Sequence, residues 1–135
     1  MRRSMALGIV LMTLVAPLMA GAQPPGPPAP VLSAIVQGMP KGEQQEVRVI
    51  VATLKPGDMT PFHSHRFPVT FLVLEGSFTL EMEGHTPVTV TAGQAMVEPP
   101  QVKMTGYNRS TTEPMRVVIF YVSEPGTPFL DVAQH

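Results

Sequence analysis

Two histidines one residue apart, His63 and His65, are the side chains of this chain best placed to do chemistry. In an extended backbone, residues i and i+2 project from the same face, so both imidazoles would converge on one spot. Neutral imidazole is a common transition-metal ligand, and two from one strand make half of a site for Zn, Fe, Ni, Mn or Cu. A bare His-x-His in an arbitrary loop reads more simply as two surface side chains. The flanks argue otherwise here. Pro56-Gly57 turns the chain just before the pair, and the apolar run from Val69 to Leu74 ends at a second turn at Gly76. That is the layout of a small antiparallel barrel.

The elements that must position the pair are strands. Val47 to Leu54 alternates and is rich in β-branched residues; Thr70 to Leu74 is nearly continuous apolar. Ser77 to Glu83 puts Phe78, Leu80 and Met82 on one face and Thr79, Glu81 and Glu83 on the other. Val88 to Thr91, Gln94 to Glu98, Lys103 to Tyr107 and Arg116 to Val122 follow, divided by turns at Gly84, Ala92-Gly93, Pro99-Pro100 and Glu113-Pro114. No window carries a capped apolar stripe of helical period. An all-β barrel or sandwich of about six to eight antiparallel strands is expected. The apolar ends, Val31 to Val36 and Phe129 to Val132, would pack as added edge pieces, on this barrel or on a second subunit, and a homodimer is expected.

The 135 residues suffice for one domain. Arg2 and Arg3 begin a short basic region, Met5 to Met19 is apolar, and Ala20-Gly21-Ala22 fits a small-x-small cleavage site. A run of about 15 apolar residues suits a signal-peptide core, whereas a membrane span needs roughly 20. Residues 1–22 therefore read as a signal peptide, with the Sec and twin-arginine routes both open, and the product as an exported, periplasmic protein. Residues 23–30, six of them Pro or Gly, form an extended linker, and residues 31–135 form the domain. Cysteine is absent, so the core must carry stability without disulfides. Nine basic and ten acidic residues are scattered along the chain, which argues against a nucleic-acid footprint and against electrostatic membrane binding after signal cleavage. A small-molecule or protein partner is the default.

Over roughly residues 45 to 122 the chain resembles the cupin superfamily, in particular its small single-domain exported members. The first cupin motif reads G, five residues, H-x-H, three or four residues, E, six residues, G. Gly57, His63, His65 and Gly76 occupy those places. The second reads G, five residues, P-x-G, two residues, H, three residues, N, and Gly93, Pro99 and Asn108 match it. The resemblance implies a double-stranded β-helix, or jelly-roll, barrel and a divalent transition metal among Fe, Mn, Ni, Zn and Cu. It also implies a centre of three His and one Glu, of which this chain keeps only His63 and His65. The motif glutamate falls at Val69 (or Thr70 in the longer spacing), the second-half histidine at Met104, and the last motif glycine at Gln101.

Three residues are available to complete the site. Met104 supplies either a thioether, which with two imidazoles would favour copper, or a core side chain. Glu98, just before the Pro-Pro turn, is either a metal carboxylate and catalytic base or a strand-end surface acid. Gln101 could offer an amide oxygen. Arg66, Tyr107 and Tyr121 are secondary candidates, the two tyrosines reading as core rings with their hydroxyls at the rim, and His85 and His135 read as bystanders. Two functions remain open. One is a metal-dependent cupin with dioxygenase-, isomerase- or lyase-like chemistry on a small organic acid or phenol. The other is a non-catalytic periplasmic ligand- or metal-binding module.

Overall fold

The computed structural model describes residues 24–134. The expected signal peptide over residues 1–22, Gln23 at the start of the linker and His135 lie outside the described residues. Residues 24–30 are exposed and carry no regular structure. Nine strands follow: β1 (Glu46–Leu54), β2 (His63–Ser64), β3 (Val69–Glu75), β4 (Ser77–Met82), β5 (Val88–Thr91), β6 (Ala95–Glu98), β7 (Met104–Tyr107), β8 (Met115–Ser123) and β9 (Asp131–Val132). No helix occurs among the described residues.

The strands form two antiparallel sheets, one in the order β1-β8-β3-β6 and the other in the order β5-β4-β7-β2-β9. Most neighbours are far apart in sequence, which is the connectivity of a double-stranded β-helix. Alternation explains which faces meet. In β4, Phe78, Leu80 and Met82 are buried, and in β3, Val69, Phe71 and Val73 are buried. All of these except Val69 join Val90, Met104, Met115 and Val117 in one core cluster. Fully burying a side chain of this size contributes about 1.5–3 kcal/mol. The count exceeds the six to eight strands expected because β2 and β9 are only two residues long. Such pieces are too short to show a period.

Two glycines are required by close approach. At Gly76, φ is 73°, and a Cβ would stand 2.6 Å from the Pro114 carbonyl oxygen. At Gly106 on β7, a Cβ would run into the Phe78 ring. Residues 31–36 form no strand. Leu32 and Val36 instead line a shallow surface groove with Val97, Phe120 and Val122.

Candidate active site

His63 enters the barrel on β2, which is held between β7 and β9 by a register placing Met104 and Val132 opposite it. The segment before it is pinned by Thr60, whose N–H donates to Gly106 O at 2.8 Å and whose hydroxyl accepts from Gly106 N–H at 2.9 Å. His63 and His65 are 5% and 2% exposed, so the expected convergence of the two rings is realised inside the protein. Their rings meet edge to face with centroids 4.8 Å apart.

The ring protons are placed by the backbone. His63 Nδ1–H donates to Pro61 O at 2.6 Å, and His65 Nδ1–H donates to Phe129 O at 2.6 Å. A carbonyl only accepts, so both neutral rings carry their proton on Nδ1 and turn a bare Nε2 inward. The two Nε2 atoms are 3.1 Å apart. Glu98 Oε2 lies 3.2 Å from His65 Nε2, and its side chain is equally buried. Three acceptors are thus gathered with no donor among them. One proton on His65 Nε2 would serve both neighbours, and a metal ion would serve the same need. His63 is held below its ordinary value of 6.5, chiefly by burial and further by the charge of His65; the Pro61 carbonyl and Glu98 act the other way. The shift favours the neutral form of the His63 ring.

The register explains why Glu98 can join. On paired strands β3 and β6, Val69 and Glu98 are cross-strand partners. Val69 occupies the place where the motif has glutamate, so the carboxylate arrives from the facing strand instead. Met104, at the motif's histidine place, is fully buried within the apolar cluster. It does not line the cavity that the two histidines and Glu98 open onto. Gln101 is exposed, and it is the one non-glycine among the described residues with positive φ, 62°. Its N–H donates to His65 O at 2.7 Å, so it shapes the site through its backbone. Asn108, 2% exposed, sets its amide nitrogen within 3.1 Å of the carbonyls of Leu54, Lys55 and Glu113, which ties the loops together.

Arg66 points outward to Asp131, at 2.8 and 3.0 Å. That hydrogen bond draws the exposed Asp131 carboxyl below its usual range. His85 is exposed and sits in its own turn. Tyr107 is half-buried under Arg109, whose guanidinium lies 4.3 Å from the ring centroid. Tyr121 is fully buried, not rimmed by water as the sequence implied, and its hydroxyl has no hydrogen-bond partner. Burial pushes its pKa up. The neighbouring amides of Phe67 and Arg66 act in the opposite sense, but neither closes a hydrogen bond of standard geometry.

Phe129 to Val132 pack as the added edge piece expected, with β9 at the edge of its sheet, but the part that residues 124–132 play at the histidines was not foreseen. This strap carries the carbonyl that orients His65, adds Phe129 and Leu130 to the cavity wall and ends in β9. Arg48 on β1 holds it by donating to Thr127 O at 2.7 Å. The apolar pattern of residues 129–132 was the available signal.

The histidines, Glu98 and the strap enclose a cavity of about 130 Å³ whose remaining wall includes Phe71, Phe78, Val117 and Ile119. A larger open groove of about 590 Å³ lies between residues 34–38 and Pro99-Pro100, but no titratable side chain lines it. The two converging histidines and Glu98 open onto the smaller cavity.

No curated protein sequence matches the chain. Among solved structures it is similar to the DMSP lyase DddQ from Ruegeria pomeroyi DSS-3, with a TM-score of 0.56 and 21% identity over 64% of this chain and 43% of that one. It is also similar to an uncharacterized double-stranded β-helix protein from Klebsiella pneumoniae, with a TM-score of 0.57 and 19% identity over 76% and 86% of the two chains. Oxalate oxidase in complex with the substrate analogue glycolate gives a TM-score of 0.51 and 26% identity over 62% and 45%. The chain thus spans less than half the length of the lyase and oxidase chains. The Cupin domain family matches residues 50–121, more than half of the sequence, from within β1 to within β8, and the chain belongs to that family.

Proposed function

We propose that the cavity is a small-molecule site in which His63, His65 and Glu98 take up a divalent transition metal ion. The observation that carries this reading is the direction of the ring protons. With both Nδ1–H groups committed to carbonyls, two Nε2 lone pairs and a carboxylate share a buried space that needs a cation. Two imidazoles and one carboxylate are the right donors in kind for Zn, Fe, Mn, Ni or Cu. When bound, such an ion supplies Lewis acidity toward a substrate oxygen.

The chain's own residues do the rest. The Pro61 and Phe129 carbonyls fix the two rings. The apolar wall excludes water and strengthens every polar contact inside it. Glu98 is the group to accept a substrate proton as general base. The similarity to oxalate oxidase supports a small organic substrate. Metal analysis of the purified chain tests the reading. Stoichiometric metal is expected in the parent and none in His63→Ala, His65→Ala; undiminished metal in that double variant overturns the site.

One observation favours a second reading, a binding module without resident metal. The contacts run in series from His63 to His65 to Glu98, and among the described residues no group of three or more His, Cys, Asp or Glu is arranged to hold an ion. A single shared proton satisfies that series. The same metal analysis, returning an empty parent protein, selects it. Export to the periplasm belongs to the proposal and rests on residues 2–22 alone; periplasmic protein beginning at Gln23 on N-terminal sequencing would support it, and retention in the cytoplasm would refute it.

A further inference from the structure

We propose that the cavity selects a single-ring phenol: a neutral aromatic body of about benzene size with one hydroxyl directed at His63, His65 and Glu98. The inference deepens the small-molecule reading above, rests on it, and concerns the metal-free cavity. Three observations carry it, concerning size, wall and charge.

The cavity measures about 130 Å³, and apolar cavities of about 150 Å³ accept benzene. A second fused ring has no room. The wall is apolar apart from Thr60 and the His63–His65–Glu98 cluster, and it presents three phenylalanines. Phe71 and Phe78 are set edge to face, with centroids 5.5 Å apart and planes at 83°. Phe129 leans on His65 at 4.9 Å. Such rings offer edges and faces to a third ring, a preference worth about a twofold to tenfold gain in affinity over an aliphatic body of equal area.

Charge decides the head group. No lysine or arginine lines the cavity. Arg66 is turned outward to Asp131, and Arg48 is engaged by Ser123 and Thr127 and lies over the Tyr121 ring. What faces the ligand is one carboxylate and two imidazoles whose inward atoms are acceptors. A carboxylate ligand would meet Glu98 with no cationic side chain beside it. In the metal-free cavity a phenol hydroxyl supplies the donor that these three acceptors lack, and burying an acceptor unpaired is costly. Between a carboxylate and a hydroxyl head group, the metal-free cavity therefore takes the hydroxyl.

The test uses the full chain at neutral pH after chelator treatment, titrated with phenol, benzoate, benzene and 1-naphthol and followed by NMR shift changes. Phenol is expected to bind at least tenfold more tightly than benzoate or benzene, with naphthol excluded. Ile119→Ala, which enlarges the cavity, is expected to admit naphthol. Glu98→Gln, nearly the same shape, is expected to narrow the preference for phenol over benzoate by tenfold or more. Benzoate binding as tight as phenol, or an unchanged preference in Glu98→Gln, overturns the proposal. Because these titrations need no metal, their failure leaves the metal reading standing, and an empty metal site leaves this one standing.

Discussion

Val69 on β3 and Glu98 on β6 are cross-strand partners, so a carboxylate on either strand would start from adjacent backbone positions on the same buried face. Cross-strand Cβ atoms are typically about 4.5–5.5 Å apart, within reach of one extended side chain. A carboxylate placed at Val69 would therefore start beside the position of Glu98 on the neighbouring strand.

The swap is directly testable. Glu98→Val should abolish stoichiometric metal binding, and adding Val69→Glu to that variant should restore it. Metal content after dialysis measures both. A double variant that stays empty while folding normally would show that the two positions are not interchangeable.

Acid should weaken the metal-free fold through His63. Burial holds this ring below its ordinary 6.5, so the unfolded chain binds the proton more tightly than the folded one. The stability contributed is fully present above 6.5 and declines as pH falls through the window beneath it, until the folded ring also titrates. One proton sets a slope of at most about 1.4 kcal/mol per pH unit. Urea midpoints collected between about pH 8 and pH 5 should fall on the acid side, and His63→Asn should flatten that limb. A parent protein equally stable across the range would contradict the assignment.

Gln101→Gly should stabilise the protein. Holding a side chain in the left-handed region costs about 1–2 kcal/mol, and the greater freedom of glycine in the unfolded chain returns about 0.5–1 kcal/mol of that. A net gain of about 0.5–1 kcal/mol in chemical denaturation is expected, with the hydrogen bond to His65 O retained. Gln101→Ala should bring no such gain.

Gly106→Ala should do harm in two ways at once. The added methyl meets the Phe78 ring, and Phe78 is part of the cavity wall. Overpacking of this kind costs about 1–3 kcal/mol. The denaturation midpoint should drop, and Phe78→Leu placed on top should recover part of the loss.

We propose that a second copy of the chain covers the outer face of the β1 sheet. Val47, Val49 and Val51 on β1 are 67%, 61% and 58% exposed, with Phe120 beside them on β8. β1 has a neighbour on one side only and contains no proline, which leaves an edge ready for pairing. These outward positions bear no charge, so a two-fold arrangement sets no like charges against each other. Light scattering should give a dimer that Val49→Lys converts to monomer. A parent protein that is monomeric at high concentration removes the proposal.

Much of the barrel could be read in advance where period-two patterning was long enough to show. Phe78, Leu80 and Met82 gave β4 its buried face, and the spacing of Gly57, His63, His65 and Gly76 gave both the fold and the histidine pair. What could not be read was main chain. The carbonyls of Pro61 and Phe129, which set the tautomers, leave no mark in a string of side chains, and neither does the register that brings Val69 to Glu98. Residues 31–36 are apolar, yet the alternation in Leu32, Ala34 and Val36 reflects one side lying over the sheet surface rather than a strand within it. Tyr121 illustrates the converse. Its type suggested a hydroxyl at the rim, and its place in β8, facing the barrel interior, overrode that.

The strap that orients His65 also imposes an order in time. The carbonyl of Phe129 lies 64 residues further along the chain than the ring it holds, and β9, which flanks His63, comes later still. At a synthesis rate of about 5–20 residues per second, roughly 3 to 13 seconds separate the appearance of the histidine from that of its acceptor. During that interval the pair exists with one ring unanchored and one wall of the cavity missing. Any ion or ligand that needs both rings fixed therefore binds only after the strap has been made.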